Sequence, residues 1–283
     1  MEIIAHRGNS AVAPENTMAA FEAAVRSGAD CIETDIHLCA SGEIVIIHDD
    51  DVAATSNGSG RVSILTLAEL KSLDFGSWFS PAYAGQRIPT LDELVGFYLA
   101  NPKLRLLLEF KGDWSAEAVD KAITILDAAG LRPRTILESF SEATMAALAE
   151  VAPHYQRGLL VEDETVTSGG VPAGPDSVVE RPTAAGEGGD GEPLSAASEA
   201  FEPQRDIEKA SALGASYLNP SVALVRAHPD LVEKCHAAGL LVQVWTADSV
   251  ADFTLLASAG VEGICTNRPE FLAGWLAGQP EPL

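Results

Sequence analysis

Short β-rich runs alternate with amphipathic segments along most of this 283-residue chain, and no other feature constrains its fold as strongly. Such alternation is typical of α/β proteins with a mostly parallel sheet. Nine runs qualify as strands, so we expect one of them, Ile44–Ile47, to form a hairpin-like extension after the second strand of an eight-stranded barrel. The predicted strands are Glu2–Ala5, Asp30–Ile36, Ile44–Ile47, Leu104–Phe110, Thr135–Glu138, Arg157–Val161, Ser216–Leu218, Leu241–Trp245 and Gly263–Thr266.

Helices are predicted between these strands, and several have recognisable beginnings. Pro14-Glu15-Asn16-Thr17 precedes the first helix, and Thr66 and Thr90 occupy N-cap positions. The pattern predicts a single α/β domain over residues 1–283, folded as a (β/α)8 TIM barrel. An open doubly wound sheet is the alternative, but its Gly-rich nucleotide fingerprint is missing. The predicted helices are Met18–Ser27, Leu67–Leu73, Leu91–Leu99, Ala116–Ala129, Glu142–Val151, Asp206–Leu213, Leu224–Ala238, Val250–Ala259 and Pro269–Ala277.

Residues 162–204 break this pattern, because they are rich in Gly, Pro, Ser, Ala and Glu and have no apolar periodicity. Such a composition buries too little apolar surface to offset the entropy of ordering the chain. We therefore predict a long, flexible loop after the fifth barrel strand, on the face where barrel active sites lie. A tolerated insertion and a lid over the site both fit this loop, and the insertion is the simpler interpretation.

The charge balance restricts the partners. With 18 Lys and Arg against 41 Asp and Glu, the net charge is −23, which argues against nucleic acid and against stable association with anionic membranes. Four cysteines without C-x-x-C spacing fit reduced thiols. No secretory signal and no apolar run of about 18 residues is visible. We therefore predict a soluble, cytoplasmic protein, and its oligomeric state stays open.

Three carboxylates stand at the ends of predicted strands. Glu33 and Asp35 share one face of the second strand, and Glu109 closes the apolar run of the next barrel strand. Like charges this close repel each other unless a cation lies between them. An all-oxygen set suits Mg²⁺ or Ca²⁺ rather than zinc, so we predict one divalent cation, of either kind, at Glu33, Asp35 and Glu109. Buried acids neutralised by arginine are the structural alternative.

Two cationic residues accompany these acids. Arg7 follows the first strand, and Lys111 comes two positions after Glu109. Three carboxylates and a divalent ion sum to about −1, which would repel a phosphodiester of charge about −1. Arg7 and Lys111 bring the loaded site to about zero, so we predict that both bind phosphate.

His6 and His48 each stand at a strand end beside a charged residue. A phosphodiester displacement needs one group that takes a proton from the nucleophile and another that gives a proton to the leaving oxygen. Imidazoles do both near neutral pH. We therefore predict that His6 and His48 are catalytic, and the sequence does not indicate which is the acid.

At these residues the chain resembles the glycerophosphodiester phosphodiesterase family. His6-Arg7-Gly8 with Pro14-Glu15-Asn16-Thr17 is similar to its N-terminal signature, and Glu33-Thr34-Asp35 and His48-Asp49 are similar to its metal-binding and second histidine motifs. The resemblance covers nearly the full length, although Asn267 stands where the family frequently has Asp. Further similar segments, in order, are Leu108-Glu109-Phe110-Lys111, Ser139-Phe140, Asn219-Pro220, Val244-Trp245-Thr246 and Thr266-Asn267-Arg268-Pro269.

The resemblance implies a TIM barrel with a small insertion after the second strand, here residues 49–88. It implies a divalent ion at the three carboxylates, acid/base catalysis by both histidines, and phosphate contacts from Arg7 and Lys111. It also places Trp245 near the glycerol end of the pocket. The implied reaction is hydrolysis of a glycerophosphodiester to glycerol 3-phosphate and an alcohol, with the substrate's own glycerol hydroxyl as a candidate first nucleophile.

Three alternatives stay open at this point. The same chemistry could act on a lysophospholipid or a phosphoinositol head group, and apolar residues at the pocket mouth would favour the lipid. The insertion carries Trp78, Phe79 and Tyr83, which we expect to pack its own core. The barrel could also bind a metal or a phosphate ligand without catalysis. A structural or interaction protein would have only the acidic loop in its favour.

Overall fold

The computed structural model describes residues 1–163 and 200–279. All nine predicted strands are present there, with ends that differ from the prediction by no more than two residues. They are β1 (Glu2–His6), β2 (Cys31–Leu38), β3 (Ile44–Ile46), β4 (Arg105–Phe110), β5 (Thr135–Ser139), β6 (Gln156–Val161), β7 (Tyr217–Pro220), β8 (Leu241–Val244) and β9 (Gly263–Thr266).

Eight of these strands form a closed parallel barrel in the order β1, β2, β4, β5, β6, β7, β8, β9. Strand β1 pairs in parallel with both β2 and β9, which closes the sheet on itself. Strand β3 pairs antiparallel with β2 and so extends the second strand as a hairpin. The predicted TIM barrel is confirmed.

The helices lie between the strands and cover the barrel. Thr17, Thr66 and Thr90 cap their helices as predicted, each accepting a hydrogen bond from a backbone N–H of the first turn. The helices are α1 (Met18–Arg26), α2 (Leu67–Ser72), α3 (Leu91–Ala100), α4 (Ala116–Ala128), α5 (Glu142–Val151), α6 (Pro203–Ala212), α7 (Val222–Ala227), α8 (Leu231–Ala237), α9 (Val250–Ala259) and α10 (Pro269–Ala277).

One predicted helix, Leu224–Ala238, is wrong as a continuous element. The chain forms α7 and α8 instead and leaves the helical conformation at His228, which has φ −126° and ψ 79°. Pro229 follows His228, and a proline disfavours the helical conformation in the residue before it. Since proline also lacks an N–H, α7 cannot continue through this position.

The segment between β3 and α3 carries a small core of its own. Val52, Val62, Leu70, Phe75 and Ile88 are buried there together. The prediction that the aromatic residues of this segment fill its core is wrong. Trp78 is 40 % exposed. The aromatic rings of residues 78, 79 and 83 pack edge to face on one another, and the hydroxyl of residue 83 donates to the carbonyl of residue 12.

Most of the predicted flexible loop, residues 164–199, lies outside the described residues. The described ends on either side of it meet, because Phe201 N donates a hydrogen bond of 3.1 Å to Asp163 Oδ2. The predicted end of the loop at residue 204 is wrong. Helix α6 begins at Pro203, and the Glu202 side chain caps it by accepting from Arg205 N at 2.7 Å. In the described part of the chain, every helix is too short or too polar to cross a membrane.

Candidate active site

The carboxyl ends of the barrel strands bring the predicted site residues together. Parallel register places His6 beside Glu33, and Asp35 beside Glu109. Asp35 is buried, and the other seven predicted residues line one cavity. The cavity-lining members of the predicted set are His6, Arg7, Glu33, His48, Glu109, Lys111 and Trp245.

The three carboxylates form a compact, buried trio. Ligand oxygens of Glu33, Asp35 and Glu109 all lie within 4.8 Å of one another, and no other group of this kind occurs among residues 1–163 and 200–279. Burial, together with the charge of Asp35, raises the pKa of Glu33 well above its usual range and that of Glu109 to about 8. Asp35 Oδ1 is buried and accepts no hydrogen bond. Crowded carboxylates, one of them with a buried oxygen that accepts no hydrogen bond, fit a divalent cation.

Arg7 contacts the trio but divides its hydrogen bonds. Its backbone N donates to Glu33 Oε2 (2.9 Å), its Nη1 donates to Glu15 Oε1 (2.7 Å), and its Nε lies 3.7 Å from Asp35 Oδ2. The backbone of Arg7 and Gly8 has positive φ, 54° and 83°, which turns the chain sharply after β1. The predicted charge sum left out Glu15, and its inclusion lowers the loaded site from about zero to about −1.

Lys111 lies against the other side of the trio. Its Nζ is 2.8 Å from Glu109 Oε1 and 3.4 Å from Asp35 Oδ1. Although burial raises the pKa of Asp35, the charges of Lys111, His48 and Arg7 lower it below its usual range. Asp35 is therefore ionised, with the Arg7 guanidinium near its Oδ2 and the Lys111 ammonium near its Oδ1.

Asn16 holds the trio from outside, a role that the sequence analysis missed. Its Nδ2 donates to Asp35 Oδ2 (2.8 Å), and its Oδ1 accepts from Thr34 Oγ1 (2.7 Å). Like Arg7, Asn16 has φ 54°, a conformation that asparagine tolerates better than most residues. The segment before α1 therefore orients Arg7 through Glu15 and Asp35 through Asn16, in addition to starting a helix.

His6 is oriented by a pair of polar side chains that the sequence did not reveal. Its Nδ1 lies 2.7 Å from Asn267 Oδ1, and Asn267 Nδ2 donates to Asp248 Oδ2 at 2.7 Å. Because a carboxylate can only accept, the Asn267 oxygen must face the ring, and Nδ1 of His6 carries the proton. Nε2 is then free to accept one. Burial and the charge of Arg7 lower the pKa of His6 to about 3, so the ring is neutral near pH 7.

His48 is oriented by a carboxylate instead of an amide. Its Nδ1 lies 2.7 Å from Asp49 Oδ1, and this hydrogen bond lowers the pKa of Asp49. His37 Nε2 donates to the backbone carbonyl of His48 at 3.0 Å, which fixes the turn that presents the ring. The two predicted catalytic histidines thus have chemically different partners.

Aromatic and polar groups complete the cavity wall. Trp245 packs edge-on against Phe140, with ring centroids 5.5 Å apart, and its Nε1 donates to the carbonyl of Asn219 at 2.9 Å. Glu138, which the sequence analysis passed over, also lines the cavity and is 2 % exposed. Like Glu109, it is an acid at the end of an apolar strand, and that pattern could have revealed it.

Comparison with known proteins agrees with this geometry. Residues 6–271 match the glycerophosphoryl diester phosphodiesterase family, a span that includes every predicted site residue. The chain belongs to this family. The glycerophosphodiester phosphodiesterase of Caldanaerobacter subterraneus subsp. tengcongensis is 33 % identical to it over 276 residues, which cover 95 % of each chain. Family membership makes the chain an enzyme, a glycerophosphodiester phosphodiesterase, as the sequence resemblance implied.

Solved structures share the fold over almost the whole chain. A glycerophosphodiester phosphodiesterase from Agrobacterium tumefaciens aligns with a TM-score of 0.74 at 26 % identity, over 97 % of this chain and 99 % of that one. A phosphodiesterase from Oleispira antarctica, solved in complex with the product sn-glycerol-3-phosphate, aligns with a TM-score of 0.76 at 24 % identity, over 98 % and 97 %. The family's barrel is therefore the fold of this chain.

Proposed function

We propose that this family member hydrolyses glycerophosphodiesters to glycerol 3-phosphate and an alcohol, with His6 and His48 exchanging the protons. The observation that carries the proposal is the unequal pairing of the two histidines around one cavity. His6 faces an amide and is neutral with a free Nε2, as a base requires. His48 faces the Asp49 carboxylate, which can compensate the positive charge of an imidazole that acts as an acid.

The proposed reaction proceeds by displacement at phosphorus. His6 Nε2 takes a proton from the nucleophile, which is water or the substrate's own glycerol hydroxyl. The bond from that oxygen to phosphorus forms while the bond to the leaving oxygen breaks, and His48 gives its Nε2 proton to the leaving alcohol. If the hydroxyl attacks, a cyclic phosphate results. His48 then takes a proton from water while the water oxygen forms a bond to phosphorus. The bond from phosphorus to the attacking glycerol oxygen breaks, and His6 returns its proton to that oxygen.

The charged residues bind and orient the phosphate. Glu33, Asp35 and Glu109 would hold one divalent cation, Mg²⁺ or Ca²⁺, which when bound supplies positive charge to the phosphate. Arg7 and Lys111 contact the phosphate oxygens from either side of the trio, as their positions support. Trp245 lies against the glycerol moiety.

The proposed partner is a small-molecule glycerophosphodiester, in keeping with the sn-glycerol-3-phosphate bound by the Oleispira antarctica phosphodiesterase. The net charge of −23 supports a protein that binds no nucleic acid and does not associate stably with membranes. We also propose a cytoplasmic location, which the four cysteines without C-x-x-C spacing support.

The test is release of glycerol 3-phosphate from glycerophosphocholine and glycerophosphoethanolamine, with added Mg²⁺ or Ca²⁺ and with a chelator. We expect turnover only with the metal ion. His6→Ala and His48→Ala should each lower kcat by a factor of about 10²–10⁴ without loss of metal binding. His154→Ala, at an exposed histidine, is the matched control.

Each part of the proposal has an outcome against it. Turnover that survives complete chelation contradicts the metal role. A His6 or His48 variant near wild-type rate removes that histidine from the mechanism. Faster release of choline from lysophosphatidylcholine than from glycerophosphocholine would assign the lipid as the substrate.

A further inference from the structure

One polar pair in the cavity takes no part in the proposed reaction. Glu138 at the end of β5 and Asn219 in β7 are 2 % and 1 % exposed. Asn219 Nδ2 donates to Glu138 Oε2 at 2.6 Å. Glu138 is not one of the three clustered carboxylates of the candidate metal site, although it is in register with Glu109 of β4.

The barrel is built to allow this contact across an intervening strand. Strand β6 lies between β5 and β7, and Gly158 of β6 is in register with Glu138. A Cβ on Gly158 would lie 2.5 Å from Asn219 Nδ2. Gly158 is not among the glycines with positive φ, so the glycine here provides space and not an unusual backbone conformation. Any other residue would displace the amide that holds Glu138.

The bridge leaves acceptors without donors in the cavity. Asn219 Oδ1 accepts from Gln243 N at 3.4 Å, which fixes the amide with Nδ2 toward Glu138. Within the described chain, Asn219 is the only side chain that donates to Glu138, and it uses Oε2. Gln243 Oε1 is also buried without a donor. Both side chains line the cavity, and unpartnered acceptors of this kind complement a ligand that brings hydroxyl groups.

The position of the pair relates it to one end of the substrate. The carbonyl of Asn219 accepts a hydrogen bond from the Trp245 indole N–H at 2.9 Å. The Glu138–Asn219 pair therefore lies beside Trp245 in the wall of the cavity. We propose that Glu138, positioned by Asn219 across Gly158, is a specificity-determining residue that binds a hydroxyl of the substrate's glycerol moiety. The identity of that moiety rests on the function proposed above.

The experiment compares two phosphate monoesters that differ in hydroxyl groups. Binding of sn-glycerol 3-phosphate and of ethyl phosphate to the full chain with its divalent ion is measured by calorimetric titration. We expect the wild type to prefer sn-glycerol 3-phosphate by about 10-fold or more. Glu138→Met, which removes the carboxyl group at similar volume, should bring the two affinities within about twofold. Asn219→Ala should reduce the preference in the same direction.

Controls separate recognition from folding. Glu142→Met, at an exposed acid three residues after the end of β5, should keep the wild-type preference. The proposal is overturned if the wild type shows no preference, or if Glu138→Met keeps the preference. Equal loss of affinity for both monoesters also overturns it, because it indicates a structural or general electrostatic role. If Glu138→Met does not fold, Asn219→Ala decides by the same criteria.

The outcome is independent of the proposed reaction. A preference that depends on Glu138 in a protein that never releases glycerol 3-phosphate from diesters would refute the reaction and support the hydroxyl site. Turnover of glycerophosphocholine together with an unchanged preference in Glu138→Met would support the reaction and refute the hydroxyl site.

Discussion

Without a cation, the buried acids should make the protein less stable as the pH rises. The pKa of Glu109 increases on folding from an ordinary 4.5 to about 8. The folded state therefore binds this proton more tightly than the unfolded state does. The resulting stabilisation is complete below pH 4.5 and is lost as the pH rises through about 8. At 1.36 kcal/mol per pH unit, Glu109 contributes at most about 5 kcal/mol.

A divalent ion should reverse this trend, because it binds the deprotonated carboxylates and replaces the proton. In the chelated protein, Tm should fall by about 10 °C or more when the stabilisation by protonated Glu109 is lost. This follows because a domain of this size changes its Tm by about 2–4 °C per kcal/mol. The stabilisation by Mg²⁺ or Ca²⁺ should grow over the same pH range, since protons compete less for the ligands.

The assay is thermal unfolding followed by circular dichroism from about pH 5 to about pH 8, with chelator or with the divalent ion. Moderate salt screens the repulsion between the exposed carboxylates, which would otherwise also change Tm with pH. Glu109→Gln is the matched variant, since it cannot titrate, and its difference from the wild type isolates Glu109 from the other shifted groups, Glu33, Glu138 and His6. It should show a smaller decrease in Tm with rising pH and lose most of the stabilisation by the ion. The reasoning is refuted if chelated wild type and Glu109→Gln have the same pH dependence, or if the metal-induced shift in Tm does not change with pH.

Three further predictions concern other parts of the molecule. Asp248→Asn should lower kcat about tenfold or more at unchanged Tm, and ¹⁵N NMR should show a mixture of His6 tautomers; a single Nδ1–H tautomer would contradict the assignment. Gly8→Ala should lower Tm by at least about 2 °C, because its Cβ would lie 2.7 Å from the backbone of α1 at positive φ; Gly96→Ala, with nothing within 4 Å in α3, should keep or raise Tm. Replacing residues 164–199 by a short Gly/Ser linker should leave Tm within a few degrees, since the flanking residues already meet; a large drop would show that the segment stabilises the barrel.

The barrel could be predicted because its information is local. Each strand appears as an apolar run bounded by turn residues, and the helix caps at Thr66 and Thr90 involve residues three positions apart. The prediction of a continuous helix at Leu224–Ala238 was wrong because apolar periodicity was weighed above Pro229, whose restriction on His228 interrupts the helix. The aromatic residues of the insertion were misplaced because composition does not indicate which face of a segment is covered.

The candidate site was predictable only where strand ends reveal it. Glu33, Asp35 and Glu109 follow apolar runs, and the parallel register between β2 and β4 brings the three carboxylates together. The orienting contacts were not visible, because they join residues far apart in the chain. His6 meets Asn267 across 261 positions, and Glu138 meets Asn219 across 81. The first contact depends on closure of the barrel between β1 and β9, and the second on packing across β6, and no local pattern encodes either of them.

The contact between Asp163 and Phe201 has a consequence for how this barrel can diversify. Asp163 follows β6 and Phe201 precedes α6, so the described residues on either side of 164–199 meet at a single point. For flexible loops in general, doubling the length costs only about 0.6 kcal/mol. Residues can therefore be inserted, deleted or exchanged at this point without a change in the strand register. Because it follows the carboxyl end of a barrel strand, whatever is inserted there starts from the face that carries the active site.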